Sequence, residues 1–178
     1  MGNEAVIARG RNVVREHFRW IDGAADTWTM LRSGDSLAAV IDALAGLIDG
    51  EQPDVVVGVE SRGFVLAPAV AVRLGVGFVP VRKDGALFPG PLVEQQTGQD
   101  YRGNQRTLAT RRDLLSEGQR AVLVDDWIET GSQAIAARQL VAQCGAELVA
   151  VAVIVDEASP AARGALPPVR SLVRASEL

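Results

Sequence analysis

Two adjacent carboxylates, Asp125 and Asp126, end the apolar run AVLVDD, and Thr130-Gly131-Ser132 follows inside the same segment, residues 121–132. A buried strand that carries acidic side chains to its carboxyl end puts them where open α/β sheets bind ligands. Backbone N–H groups at a helix start, joined by two hydroxyls and a glycine, make a phosphate cradle. A phosphorylated sugar fits this spacing, with its phosphate in the cradle and its ribose hydroxyls on the carboxylates. The plainer alternative is a capped helix after an acidic surface turn. Lys83 is a second cue, because it is the only lysine among 18 basic residues. A compact, mobile ammonium suits phosphate, although a lone lysine can also survive on a surface by chance.

Composition narrows the chemistry. The single His17 argues against histidine-centred catalysis, and the single Cys144 excludes an internal disulfide and a Cys-rich zinc site. Cys144 precedes Gly145 and is expected in the core. The net charge is -4 and no long basic run occurs, so nucleic acid is not an expected partner. No apolar run approaches about 18 residues, so no membrane span is expected. The N-terminus is charged and amphipathic and lacks the apolar core of a signal peptide, which leads us to expect a cytoplasmic protein. The 178 residues suit one domain.

These groups need elements to position them. Residues 4–18 read as an amphipathic helix with Val6, Val13 and Val14 on one side, and 36–48 repeat apolar positions at three- and four-residue steps and read as a second helix. Residues 19–34 look irregular and hold Trp20 and Trp28. The Val-rich run 54–59 reads as a buried strand, followed by the turn Glu60-Ser61-Arg62-Gly63 and a helix to Leu74. Strands are expected at 78–82, 121–125 and 147–155, with a helix at 132–144. Strands alternating with helices imply an α/β fold with a mainly parallel sheet. Residues 83–111 break the rhythm with Gly85, Pro89, Gly90, Pro91, Gly98 and Gly103, which points to a lid, with 104–110 as one strand of a small hairpin.

Nearly the whole chain resembles the type I phosphoribosyltransferases, and among them the adenine-specific branch, most clearly from Val55 to Asp156. The matching segments are VVVGVESRGFVLAPAVAVRLG, Arg82-Lys83, the lid pairs Gly90-Pro91 and Asp100-Tyr101, and GQRAVLVDD at 118–126. The resemblance implies the type I fold, a mainly parallel central sheet flanked by helices. Residues 1–34 would be the N-terminal helix and base-side hood, and 83–111 a flexible lid. It implies transfer of the phosphoribosyl group of phosphoribosyl pyrophosphate to a nitrogenous base, with Mg²⁺, in purine salvage. Asp125 and Asp126 would hold the ribose hydroxyls and, through water, the metal. Thr130, Gly131, Ser132 and Gln133 would bind the 5′-phosphate. Glu60, Ser61, Arg62, Arg82 and Lys83 would serve the pyrophosphate end, with a non-proline cis peptide in the 60–63 loop. Arg62 is otherwise a surface ion-pair partner. Asp100 and Tyr101 would lie on the working face of the lid, and a homodimer is implied.

The chain also departs from that pattern. Glu129 stands where adenine enzymes place a small Ala and where hypoxanthine and guanine enzymes place an Asp. It would be a general base or base contact, or else a solvated loop carboxylate. Ser132-Gln133 replaces the usual Gly-Thr of the cradle. Ala86 replaces a second basic residue, so pyrophosphate meets less positive charge. The usual apolar-Phe-Arg-Asp stretch is reduced to Ala25-Asp26-Thr27, with Phe18-Arg19 too early. Trp20 and Trp28 would stack on a heterocycle or pack in the core or a dimer contact. Transfer to a different heterocycle and a non-catalytic sensor of phosphoribosyl pyrophosphate both stay open. The sensor is disfavoured by the lack of a spare domain or a basic run.

Overall fold

The computed structural model describes every residue except Met1, Ala86 and Tyr101. Its elements in chain order are α1 (Asn3–His17), β1 (Arg19–Ile21), β2 (Ala24–Asp26), α2 (Gly34–Ile48), β3 (Val55–Val59), α3 (Gly63–Leu74) and β4 (Gly77–Lys83). The chain continues through β5 (Leu92–Gln96), β6 (Thr107–Arg111), β7 (Arg120–Ile128), α4 (Ser132–Gln143), β8 (Glu147–Asp156), α5 (Pro160–Ala165) and β9 (Val169–Arg174). All five residues of β3 are buried, as a strand covered on both faces requires.

Among the described residues the main sheet has the order β5-β6-β4-β3-β7-β8-β9. The five strands from β4 to β9 run parallel, and β6 and β5 add an antiparallel edge. Helices α2 and α3 bury Val40, Leu44, Leu66 and Val70 on one face, against Val56, Val122 and Ile154. On the other face α4 buries Ala137, Leu140 and Val141 against Val57, Leu123 and Val153. The chain leaves β3 toward β4 and leaves β7 toward β8. Opposite exits from neighbouring strands open a crevice at their carboxyl ends, the usual ligand position in such sheets.

Gly58 brings α3 against that crevice. A Cβ there would come within 2.7 Å of both the Ala67 Cβ and the Gly63 carbonyl oxygen. Only a glycine lets the first turn of α3 fold back so closely on β3.

Three expectations change. Residues 19–34, expected to be irregular, contain the β1–β2 hairpin and a 3₁₀ turn at Thr29–Leu31. The strand expected at 121–125 runs on to Ile128, because β8 continues to pair with it. The stretch 83–111, expected as a flexible lid with one hairpin strand at 104–110, contains two strands, β5 and β6, between longer loops. β5 pairs with β6 and β6 with β4, and the two strands bury Val93 and Leu108. Its loops are 84–91 and 97–106, where the glycines and prolines concentrate. Elements α5 and β9 were not anticipated. The cores of the expected strands and helices elsewhere stand where the periodicity puts them.

Candidate active site

Paired registration of β3 with β7 ends at Val57 and Leu123, so the next residues of β7 edge the crevice. Asp125 and Asp126 lie there. Asp126 is buried, and one of its oxygens accepts a hydrogen bond from Thr27 Oγ1 at 2.9 Å and forms an ion pair with Arg62 Nε at 2.8 Å. Asp125 is half-buried, and its carboxylate accepts the Asp126 backbone N–H at 2.9 Å. Burial, and then the Asp126 charge, push its carboxyl up to about 8, while the nearby Lys83 charge works the other way.

Lys83 ends β4 on the far side of β3. Burial lowers the pKa of its ammonium and the Asp125 charge opposes that. Among the described residues this ammonium makes no hydrogen bond or ion pair, so it is free to meet an anion. The two arginines expected beside it are paired. Arg62 holds Asp126, and Arg82 Nε donates to Glu60 at 2.9 Å, with its guanidinium carbon 5.9 Å from the centre of the Phe64 ring. Glu60 also accepts the Lys83 backbone N–H at 3.1 Å. The Arg82 hydrogen bond first, and then this one, hold its carboxyl below the usual range. Glu60 therefore fixes the end of β4, and exposed Ser61 follows it across a cis peptide bond.

Thr130-Gly131-Ser132 turns from β7 into α4. Gly131 has φ 71° and ψ 2°, a left-handed conformation suited to glycine. Thr130 Oγ1 donates to Ser132 Oγ at 3.2 Å and accepts the Ser132 N–H at 3.3 Å, so both hydroxyls stand at the helix start. Gln133 is the next residue of α4 and is half-buried. The 97–106 loop passes over this turn, since a Cβ on Gly98 would lie 3.8 Å from the Ser132 Cβ. In that loop Asp100 accepts the backbone N–H groups of Arg102 and Asn104, each at 2.8 Å. Hydrogen bonds, that from the Asn104 backbone foremost, keep its carboxyl below the ordinary range. Glu129 is half-buried, and burial raises its pKa, helped by the charges of Glu157 and Asp100. Tyr101 and Ala86 lie outside the described residues.

Two neighbours, Trp127 and Glu157, escaped the sequence reading, and Thr27 was named only within the Ala25-Asp26-Thr27 segment, with no role. Thr27 is fully buried against Asp126, and its only signal was its place beside Asp26. Trp127, directly after the acidic pair, stacks with Phe18 and Trp20 at centroid distances of 6.0 and 5.8 Å, and Phe18 and Trp20 lie 5.3 Å apart. Glu157 accepts the Trp127 indole N–H at 3.1 Å and had no sequence signal. Trp20 thus packs in this aromatic group while staying 53% exposed, and Trp28 is 50% exposed.

No group of three His, Cys, Asp or Glu side chains able to hold a metal occurs among the described residues. The donor set fits only a hard cation carried largely by substrate oxygens and water, with Asp125 and Asp126 at its edge.

A profile of the phosphoribosyl transferase domain matches residues 27–172. The adenine phosphoribosyltransferase of a Synechococcus species is 44% identical over 144 residues, covering 80% of this chain and 81% of that protein. The Brucella ovis adenine phosphoribosyltransferase is 38% identical over 152 residues, covering 83% and 82%. Among solved structures, the adenine phosphoribosyltransferase of Rhodothermus marinus superposes with a TM-score of 0.82 at 29% identity, covering 94% of this chain and 99% of that one. The Saccharomyces cerevisiae enzyme, complexed with an imino-altritol bisphosphate and adenine, gives 0.82 at 29% identity, covering 93% and 99%.

Proposed function

The chain belongs to the phosphoribosyl transferase domain family, and from that premise we propose how its own residues carry out the transfer. It is an enzyme that moves the phosphoribosyl group of phosphoribosyl pyrophosphate to a purine base, giving a nucleoside 5′-monophosphate and pyrophosphate. We read adenine as the first acceptor to test, because the curated relatives are adenine phosphoribosyltransferases. The observation that carries the site assignment is the acidic end of β7 beside the Thr130-Gly131-Ser132 turn, both at the crevice between β3 and β7.

The 5′-phosphate is taken by the N–H groups at the start of α4, the Thr130 and Ser132 hydroxyls, and Gln133. The ribose hydroxyls meet Asp125 and Asp126. The charge of Asp126, and that of Asp125 once it ionises beside Lys83, favours the ribosyl cation that develops as pyrophosphate leaves. Lys83 receives the pyrophosphate, with Ser61 and the 60–63 turn beside it. Arg62 and Arg82 hold Asp126 and Glu60 in place from the same side. Asp125 and Asp126 would hold a hydrated Mg²⁺, which when bound would supply charge neutralisation for the leaving pyrophosphate. The 97–106 loop, with Asp100 and Tyr101, closes over the sugar and excludes water. Residues 1–34 form the base-side hood over the acceptor.

Glu129 contacts the acceptor. Its raised pKa makes it a better proton acceptor than an ordinary carboxylate. This favours a base presenting an N–H, and supports a 6-oxopurine as the second acceptor class. The exposed Val65 and Val72 of α3 give a homodimer apolar surface to cover. The polyanionic co-substrate, which does not cross membranes unaided, supports a cytoplasmic setting. The test is pyrophosphate release with phosphoribosyl pyrophosphate, Mg²⁺ and a panel of adenine, hypoxanthine, guanine and orotate. Turnover with a purine is expected; turnover with orotate alone, or with no base, overturns this reading.

A further inference from the structure

We propose that Thr27 is a positioning residue for the ribose-binding carboxylate Asp126, an inference that rests on the site reading above. Thr27 is fully buried, and its hydroxyl hydrogen has one acceptor, the Asp126 oxygen at 2.9 Å. The same oxygen takes Arg62 Nε at 2.8 Å, and Arg62 Nη1 approaches Thr27 Oγ1 at 3.5 Å. Three chain segments distant in sequence thus meet at one carboxylate: the N-terminal hood, the turn after β3 and the end of β7. A buried carboxylate fixed on one oxygen by a hydrogen bond and an ion pair keeps one orientation toward the ribose hydroxyls.

The hood is itself held so that Thr27 points inward. Asp26 accepts the backbone N–H groups of Trp28 and Thr29 at 2.9 and 3.1 Å and also takes the Thr29 hydroxyl, which fixes the chain on both sides of Thr27. The aromatic group of Phe18, Trp20 and Trp127 anchors the preceding hairpin to β7. With Asp26 and Trp28 exposed or half-exposed on either side, Thr27 alone of the three is buried. A hydroxyl in that place, rather than a methyl, has no packing purpose. Its purpose is the hydrogen bond to Asp126. The placement of the hood is thereby tied to the orientation of the group that holds the ribose.

The test compares the wild-type chain with Thr27→Val, which keeps the shape and loses the hydroxyl, and Thr27→Ser, which keeps the hydroxyl. Steady-state kinetics with phosphoribosyl pyrophosphate and the best base are read beside calorimetric binding of phosphoribosyl pyrophosphate with Mg²⁺. Loss of a hydrogen bond to a charged group predicts that Thr27→Val lowers kcat/KM for phosphoribosyl pyrophosphate about ten- to hundredfold. KM for the base should change by less than about threefold, and Thr27→Ser should recover most of the loss. In an Asp126→Asn background, Thr27→Val should have little further effect. Equal loss in Val and Ser, or an undiminished Thr27→Val effect in the Asp126→Asn background, overturns the inference. A wild type that binds phosphoribosyl pyrophosphate but turns over no base refutes the transferase reading, and the binding comparison then decides on Thr27. A wild type that neither binds nor turns over refutes both.

Discussion

Replacing Gly131 by Ala puts two separate strains into the phosphate turn. The first is conformational: at φ 71° a side chain costs about 1–2 kcal/mol. The second is steric, because the new Cβ would lie 2.8 Å from the Ala162 Cβ and 3.6 Å from the Ala162 Cα. Those atoms belong to α5, so the helix itself must shift, and overpacking of this kind costs about 1–3 kcal/mol. Together the loss is about 2–5 kcal/mol, a large share of the stability of an ordinary domain. In a chain of this size it lowers Tm by about 4–20 °C. Thermal unfolding followed by circular dichroism measures it, and KM for phosphoribosyl pyrophosphate, taken well below the new Tm, should rise as the turn deforms. Ala162→Gly removes the steric part and leaves the conformational part. The double-mutant cycle should therefore show coupling of about 1–3 kcal/mol. Additivity within about 0.5 kcal/mol refutes the clash, since non-contacting sites behave that way.

Asp125→Asn with Asp126→Asn keeps the shapes and removes the Asp126 charge and the ionisable Asp125 group, and kcat/KM should fall at least about 10²-fold; near-native turnover contradicts the ribose assignment. Hydrogen exchange with and without phosphoribosyl pyrophosphate should show new protection in 97–106 but little in β5 and β6, whose amides are already paired. Equal protection of 97–106 in both states contradicts closure. Glu129→Ala should lower kcat by about tenfold or more and leave KM for phosphoribosyl pyrophosphate nearly unchanged. Because the Glu129 pKa is raised and the ionised form acts, activity should fall as pH drops through a limb above the ordinary carboxylate range. That limb should vanish in the variant, and an unaltered profile returns Glu129 to a loop residue.

Continuous apolar runs and helical periodicity make the centre of the sheet readable from the residues alone. The short, valine-rich runs of β3, β7 and β8 favour strands buried on both faces, and the Asp125-Asp126 pair and Thr130-Gly131-Ser132 lie within one short segment. Pairings between distant segments leave weaker traces. β5 and β6 are short, and the glycines and prolines around them mimic a lid, whereas their buried Val93 and Leu108 are single residues. The partners of Arg62 and Arg82 are hidden for the same reason: charge and position suggest pyrophosphate, and only the fold brings Asp126 and Glu60 within reach. Thr27 is an ordinary threonine until the hairpin turns it inward.

The Thr27–Asp126 link closes a separation of 99 residues, and this bears on when the protein becomes competent. Bringing distant segments together loses chain entropy before the contact returns anything. The crevice gathers groups from near residues 27, 60, 83, 98 and 125–132, so it is complete only after nearly all long-range pairing is complete. A partly folded chain offers the phosphoribosyl donor half a site. A ligand that binds only the finished form pulls the folding equilibrium toward it in proportion to its supply. Survival of this chain against proteolysis is thus coupled to the concentration of its own co-substrate.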